Sequence, residues 1–328
     1  MIGLYVHIPF CLRRCHYCDF VIAGAGSPAK REAFFTAFEK EAARASDLLQ
    51  GVSFDTVYVG GGTPSVLSLE ETSKLFDLLK KYFRWEAQAE VTYEANPGDA
   101  DEEKAKAYRG LGVNRISLGA QSFNDPTLKR LNRTHDAAAI FSSYGIFRKA
   151  GFDNVSLDLM LALPGETLKE AERSVAQAVG LGPEHVSLYE LTVEPSTVFG
   201  RRRREGTLGL PAEDAQAEML SCARDRLKTG GFRHYELLSH AKPGFESRHN
   251  GIYWANEEYL GLGPGAFSHL KGKRFRYASS YAKYLDKANR NDWVPEEEET
   301  LEGERKEVES LLLALRLTEG ASMERFRP

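Results

Sequence analysis

Val6-His7-Ile8-Pro9-Phe10-Cys11-Leu12-Arg13-Arg14-Cys15-His16-Tyr17-Cys18-Asp19-Phe20 gathers three of the chain's four cysteines into eight residues, with the spacing C-x3-C-x2-C. Three thiolates so spaced can hold three irons of a [4Fe–4S] cube. The fourth iron is then open to a small molecule, whereas clusters normally take cysteine at every iron. Two other readings stand beside this one. Zinc accepts three cysteines and one histidine, which His7 or His16 could supply. Structural zinc sites usually draw on two separated ligand pairs, however, and the remaining cysteine, Cys222, is far away in sequence. The third reading is plain burial of three small apolar side chains.

A chain of 328 residues is long enough for one large domain and a smaller one. Its 42% hydrophobic and 27% charged residues are ordinary for a soluble globular protein. A net charge of −4 argues against a general nucleic-acid binder. No apolar run approaches the roughly 18–20 residues that span a bilayer. The first residues read directly as a strand, with no basic n-region and no small-residue cleavage site. The cysteines do not form a disulfide framework, and a reducing, cytoplasmic location is expected.

Outward from the cysteines, β-branched and aromatic runs alternate with amphipathic stretches. Strands are expected over 3–7, 56–59, 89–94, 115–118, 155–159 and 185–189. Helices are expected over 30–49, 69–82, 101–111, 137–150, 168–179 and 212–228. Leu75, Leu78, Leu79 and Tyr82 fall at i, i+3, i+4 and i+7, one buried face. Ser68 with Glu71, and Thr167 with Glu170, read as capping boxes. Asp125-Pro126 reads as an N-cap followed by proline at the first helical position. Six βα units imply a parallel sheet with right-handed crossovers. Periodicity alone allows an open doubly wound sheet or a partial barrel, and either puts the chemistry on loops at the C-terminal strand ends.

The cysteine loop, with Leu4-Tyr5-Val6-His7-Ile8-Pro9-Phe10-Cys11 before it, resembles the radical S-adenosylmethionine (SAM) superfamily. Within it, the run is similar to the branch of the oxygen-independent coproporphyrinogen III oxidases and the HemW-type heme chaperones. The resemblance extends to His269, and it implies an α/β fold: a three-quarter (β/α)6 barrel over 1–235, with a smaller accessory domain over 236–328. It also implies a [4Fe–4S] cluster on Cys11, Cys15 and Cys18, with the open iron chelating SAM. Gly60-Gly61-Gly62-Thr63-Pro64 follows the second strand, where a glycine run could be merely a tight turn. Its position matches the superfamily's SAM-binding glycine motif and implies a role for Gly61, Gly62 and Thr63. Glu94, Gln121, Arg133 and Asp158 lie at or after successive strands. Arginine grips a carboxylate through two parallel hydrogen bonds. The resemblance gives Arg133 the SAM carboxylate, Gln121 and Asp158 the ribose side, and Tyr5 a further SAM contact. Tyr5 reads equally well as a barrel-core aromatic, and His7 reads best as a satisfied core histidine.

Three features separate the two nearest families. The oxidases typically add a fourth cysteine, C-x3-C-x2-C-x-C, where this chain has Phe20. They also carry an N-terminal extension, whereas the first strand here is expected at residue 3. His249-Asn250-Gly251-Ile252-Tyr253-Trp254 matches the HNxxYW element of HemW-like proteins. A neutral imidazole can ligate heme iron, and tyrosine and tryptophan offer flat apolar faces. His249 is therefore expected to touch heme, although the same six residues also read as an ordinary turn packed on the barrel. The resemblance thus implies heme transfer to an acceptor apoprotein, an electron donor such as a flavodoxin or ferredoxin, and peripheral contact with membrane heme proteins. It implies SAM binding without implying turnover. The alternative is the oxidative decarboxylation catalysed by the oxidases in porphyrin biosynthesis. Arg201, Arg202, Arg203 and Arg204 read as a solvated face, and Cys222 as buried packing beside Met219 and Ala223. A last helix is expected over 304–317, with Leu311, Leu312 and Leu315 on one face. The chain ends at Arg327-Pro328, and the accessory domain is expected to be shortened relative to the family.

Overall fold

Alternation along the first strand divides its side chains between two environments. In β1 (Ile2–Ile8), Leu4, Val6 and Ile8 are fully buried on one face, while Gly3, Tyr5 and His7 occupy the other. The computed structural model describes residues 1–322, so Arg327 and Pro328 lie outside the described residues. From β1 the chain continues through α1 (Pro28–Leu48), β2 (Ser53–Gly61), α2 (Leu69–Tyr82), β3 (Arg84–Ala95), α3 (Glu102–Leu111) and β4 (Arg115–Gln121). The short α4 (Asp125–Arg130) precedes α5 (Ala137–Lys149), β5 (Val155–Leu161), α6 (Leu168–Leu181) and β6 (His185–Glu190). Next come α7 (Val198–Arg204), α8 (Glu213–Thr229), β7 (Arg233–Glu236), β8 (Ser239–Ala241), α9 (Arg248–Trp254), β9 (Glu258–Leu262) and β10 (Phe267–Leu270). The last described elements are β11 (Lys273–Arg276), α10 (Tyr281–Arg290), β12 (Glu297–Thr300) and α11 (Gly303–Ala314).

The six expected strands are all present, and β1 to β6 lie side by side, parallel, in chain order. This is the strand order of the expected (β/α)6 partial barrel. Helices cover the apolar face. The aromatic residues Phe34, Phe35 and Phe38 of α1, together with Leu75, Phe76 and Leu79 of α2, are buried against it. Both expected capping boxes form, Ser68 with Glu71 and Thr167 with Glu170. The cap of α4 differs: Asn124 accepts from the Thr127 amide, and Asp125 is the first helical residue.

The expected boundary at 235/236 falls inside β7, and the sheet does not break there. Beyond β6, β8 and β7 continue it antiparallel. At the other edge β9 runs parallel to β1, followed by β10, β11 and β12 in antiparallel order. The arginine run of α7 is largely exposed. Cys222 is half-buried rather than in the core. On α11 the leucines expected on one face, Leu311, Leu312 and Leu315, are all exposed, and Ser310 and Ala314 are the buried residues.

One buried carboxylate ties the later residues to the first helix. Glu41 of α1 is 1% exposed; it accepts from Tyr284 Oη of α10 at 2.7 Å and from the Gly263 amide at 2.8 Å. Burial pushes its pKa up to about 7, against the lowering effect of those two bonds. A carboxyl whose folded pKa lies above its unfolded value holds a proton that the unfolded chain releases. Its contribution to stability therefore falls as pH rises through that window and levels off above about pH 7. Glu41→Gln keeps an acceptor for both donors. Its melting temperature should gain on the wild type as pH goes from about 5 to 7, by the equivalent of up to about 3 kcal/mol. A constant difference across that range, followed by differential scanning calorimetry, would reject the assignment.

Candidate functional site

Ten of the twelve expected site residues line one cavity of about 390 Å³ at the C-terminal ends of β1 to β6. They are Cys11, Cys15 and Cys18; Gly61, Gly62 and Thr63; and Glu94, Gln121, Arg133 and Asp158. The volume is that of a small-molecule site. Each parallel strand delivers its contribution at the same edge, because strands of one direction end at one rim.

The cysteine loop has no regular structure and is held by individual hydrogen bonds. Cys11 N donates to Gly24 O at 3.2 Å, and Ala23 N donates to Pro9 O at 2.6 Å. His16 N donates to Leu131 O at 3.1 Å, while Asn132 Nδ2 reaches Arg14 O at 2.8 Å. The loop is thus latched onto the turn that presents Arg133. Neither histidine weighed for a zinc set lines the cavity. His7 is bonded at both ring nitrogens, to Tyr5 Oη and Val21 O, and His16 Nδ1 bonds Arg130 O.

The glycine loop fits against the cysteine loop with no room to spare. The Gly62 amide donates to Ile8 O at 2.8 Å. A Cβ on Gly62 would lie 2.7 Å from Phe10 O, 2.8 Å from Ile8 O and 3.2 Å from Cys11 Sγ. Gly61 adopts φ +103°, and a Cβ there would meet the His7 ring at 2.6 Å. Thr63 Oγ1 and Cys11 Sγ are 3.1 Å apart and share a hydrogen bond.

Ionisable side chains are concentrated around this cradle, and each is held by uncharged partners. Arg133 donates through Nη2 to Asn96 Oδ1 at 2.5 Å and Gly119 O at 2.8 Å, and Nη1 lies 3.5 Å from Cys15 Sγ. Burial opposes its charge, but Tyr17 and Cys15 outweigh burial and raise its pKa. Its Nε is buried with no partner among the described residues. Glu94 accepts from Tyr58 Oη at 2.7 Å and from the Gly61 amide at 3.1 Å. Burial, aided by the nearby Asp158, pushes the Glu94 pKa up to about 7. Asp158 accepts from Ser117 Oγ at 2.9 Å, and burial raises it too. Burial raises Cys18 and lifts Cys11 to about 11. Such a thiol becomes a thiolate when a metal supplies positive charge. Gln121 sits at φ +64°, a strained position for a residue with a side chain.

Residues 5–178 match the model of the radical SAM superfamily. The chain belongs to the radical SAM superfamily, among the proteins named HemW. It is 40% identical to "Heme chaperone HemW" of Lactococcus lactis over 98% of this chain and 83% of that protein. With the Bacillus subtilis protein of the same name, identity is 38% over 99% of this chain and 86% of that protein. The solved structure of coproporphyrinogen III oxidase (HemN) from Escherichia coli superposes with a TM-score of 0.86 at 23% identity, covering 96% of this chain and 75% of that one. This likeness is one of fold.

Tyr5 and His249 are the two expected residues outside the cavity. Tyr5 lines a second cavity of about 370 Å³ together with Tyr253, Tyr259, Phe267 and Arg276, and Phe20 borders both cavities. His249 is 1% exposed, with Nδ1 bonded to Thr56 Oγ1 at 2.7 Å and Nε2 to Tyr253 Oη at 2.9 Å. Burial, with Arg115 adding, lowers its pKa to about 3. A ring held at both nitrogens reaches a heme iron only by giving up one of those bonds. The six-residue element forms a helix, α9, rather than a turn.

Among the cavity residues not anticipated, Asn96 bridges Arg133 and Thr63, at 2.5 and 3.4 Å. It lies two positions beyond Glu94 and just past the end of β3, and that place at a strand end could have found it. Tyr189 and Glu190 end β6, the strand for which the sequence offered no candidate. The fit at Gly62 gives a direct test. Gly62→Ala should lose about 1–3 kcal/mol in denaturant unfolding, since backbone atoms must shift. Gly145→Ala, in α5 with open space around it, should be neutral or gain up to about 1 kcal/mol. Equal effects would show that the two loops do not need their close approach.

Proposed function

We propose that this protein is a heme chaperone of the radical SAM type, acting in the cytoplasm and passing heme to an acceptor apoprotein. The observation that carries the reading is the likeness to HemW proteins at 38–40% identity over nearly the whole chain. The residues present fit the implied groups. Three thiols border one cavity, a glycine cradle admits no Cβ, and the buried Arg133 Nε has no partner among the described residues. Cys11, Cys15 and Cys18 would hold a [4Fe–4S] cluster, whose open iron would chelate the amino and carboxylate groups of SAM. Arg133 would pair with the SAM carboxylate, Gly61, Gly62, Thr63 and Glu94 would receive its amino end, and Gln121 and Asp158 the ribose.

For heme, the second cavity offers the aromatic rings of Tyr253, Tyr259, Phe267 and Tyr5 beside Arg276, which lies over Phe267 and pairs with Glu297 while its Nε is buried without a partner among the described residues. Flat apolar rings suit a macrocycle and a guanidinium suits a propionate. The contact expected of His249 passes in this reading to Tyr253, its hydrogen-bond partner. A flavodoxin or ferredoxin would supply electrons. No described helix is long and apolar enough to cross a membrane, and contact with membrane heme proteins would be peripheral. Coproporphyrinogen III oxidation, implied by the resemblance of the Tyr5–Cys11 run to the oxidase branch, is the second reading. Phe20, where oxidases typically carry a fourth cysteine, weighs against it.

Anaerobic reconstitution tests the reading. Wild type and Cys222→Ala should retain iron and sulfide, and each of Cys11→Ala, Cys15→Ala and Cys18→Ala should lose both. Arg133→Lys should keep the cluster and weaken SAM binding by roughly tenfold or more. Heme titration should saturate at one equivalent and weaken in Tyr253→Ala. Protoporphyrinogen formed from coproporphyrinogen III with SAM and a reductant would overturn the chaperone in favour of the oxidase.

A further inference from the structure

The inner faces of β1, β2 and β3 stack in three rows. Register pairs Gly3 with Thr56 and Thr56 with Glu90 in the first row, and Tyr5 with Tyr58 and Tyr58 with Thr92 in the second. Two residues further along, His7 pairs with Gly60, and Glu94 extends the third row from β3. The third row borders the cofactor cavity; the first meets α9.

Glu90 fixes α9 from below, accepting the amides of Arg248 and His249 at 3.1 and 3.0 Å on its two oxygens. A carboxylate there satisfies helix N-terminal amides and complements the helix dipole. His249 is thereby set against Gly3 and Thr56. A Cβ on Gly3 would lie 3.1 Å from the His249 ring. The same ring stacks on Tyr58, with centroids 5.1 Å apart and planes 29° apart. Tyr58 then donates to one oxygen of Glu94, whose other oxygen receives the Gly61 amide. On its far side His249 bonds Tyr253, which lines the second cavity.

We infer that His249 is a positioning residue for the cofactor cavity: through its stack on Tyr58 it fixes Glu94 and the Gly61 loop, and through Tyr253 it joins that cavity to the aromatic one. The inference rests on the reading that the first cavity takes SAM. It assigns the histidine of the HNxxYW element to SAM binding rather than to ligating iron. Tyr58 turns only with difficulty while the imidazole covers its face. Glu94, one of whose oxygens holds the loop amide, follows Tyr58.

The test is a double-mutant cycle on the anaerobically reconstituted full chain, read as SAM affinity by equilibrium dialysis. The electron paramagnetic resonance signal of the reduced cluster is followed with and without SAM. His249→Ala and Tyr58→Phe should each weaken SAM roughly tenfold, with iron and sulfide unchanged. The SAM-induced change in the signal should be reduced in both. The double variant should be no weaker than the weaker single, because both act through the Tyr58–Glu94 bond. Should His249→Ala fail to fold, His249→Leu fills the space without a ring to stack on Tyr58 and carries the same cycle with Tyr58→Phe. Multiplicative losses near one hundredfold, or unchanged affinity in the single variants, would overturn the inference while leaving the SAM reading intact. Absence of SAM binding by the wild type would overturn both.

Discussion

The pleat of β1, β2 and β3 is the constraint on which the remaining structure depends. Its period of two sends Leu4, Val6, Val57, Val59 and Val91 to one face, where each is at most 3% exposed beneath the helices. The other face carries hydroxyls, carboxylates and imidazoles, and nearly every polar group there finds a partner in a confined space, Thr92 Oγ1 being an exception. A register slip of one residue would put Glu90 and Glu94 under the helices and the valines inside. The same alternation leaves a cavity lined by ionisable side chains at one end of the interior, while the other end is closed by α9. The polar rows run continuously between them.

The cysteine loop shows how an irregular segment is made rigid without secondary structure. Its backbone bonds run to the end of β1, to the turn after α4, and to α7 through Phe199 N and His16 O at 3.0 Å. Each contact uses a group that a helix or strand would have paired internally. Three separate parts of the chain therefore position the thiols and Arg133 relative to one another. The guanidinium is restrained by Asn96 and Gly119 even where its Nε lacks a partner. Such a preset cation suits an anionic ligand, because little rearrangement accompanies binding.

How much of this was legible depended on the length scale of each signal. Long amphipathic stretches declared themselves: the helix with Leu75, Leu78 and Leu79 has the expected bounds, and both capping boxes form. The six strands were legible because β-branched runs recur between helices. The cavity residues were reached through the resemblance, and their order along successive strands, whose ends a parallel sheet brings to one rim, made them a coherent set. The short later elements were not legible. Strands of three to five residues such as β8 and β9 carry too few alternations to reveal a period. Their pairing with β6 and β1 is a tertiary fact, as is the uninterrupted sheet at 235/236. Asn124 and Asp125 are both good caps, and only the Thr127 amide shows which one serves. The leucines of α11 share a face in sequence, but what covers a face is not written in its period.

His249 and Tyr5 mark the sharper boundary of sequence reasoning. Both were placed at ligands by the resemblance; neither lines the first cavity, and Tyr5 and Tyr253, the hydrogen-bond partner of His249, line the second. Tyr5 stands level with Tyr58, with ring centroids 6.1 Å apart, and bonds His7 rather than facing the cavity directly. A motif gives the identity of a side chain and its approximate place but not its depth in the interior, where two residues along a strand are roughly 7 Å. The buried histidine can still govern the site, since a stack and two hydrogen bonds span that depth. Its neutral ring, held neutral by burial, bonds at both nitrogens without introducing a charge into the interior. An imidazole is well suited to that place: it is flat enough to stack on Tyr58, and it can donate at one nitrogen while accepting at the other.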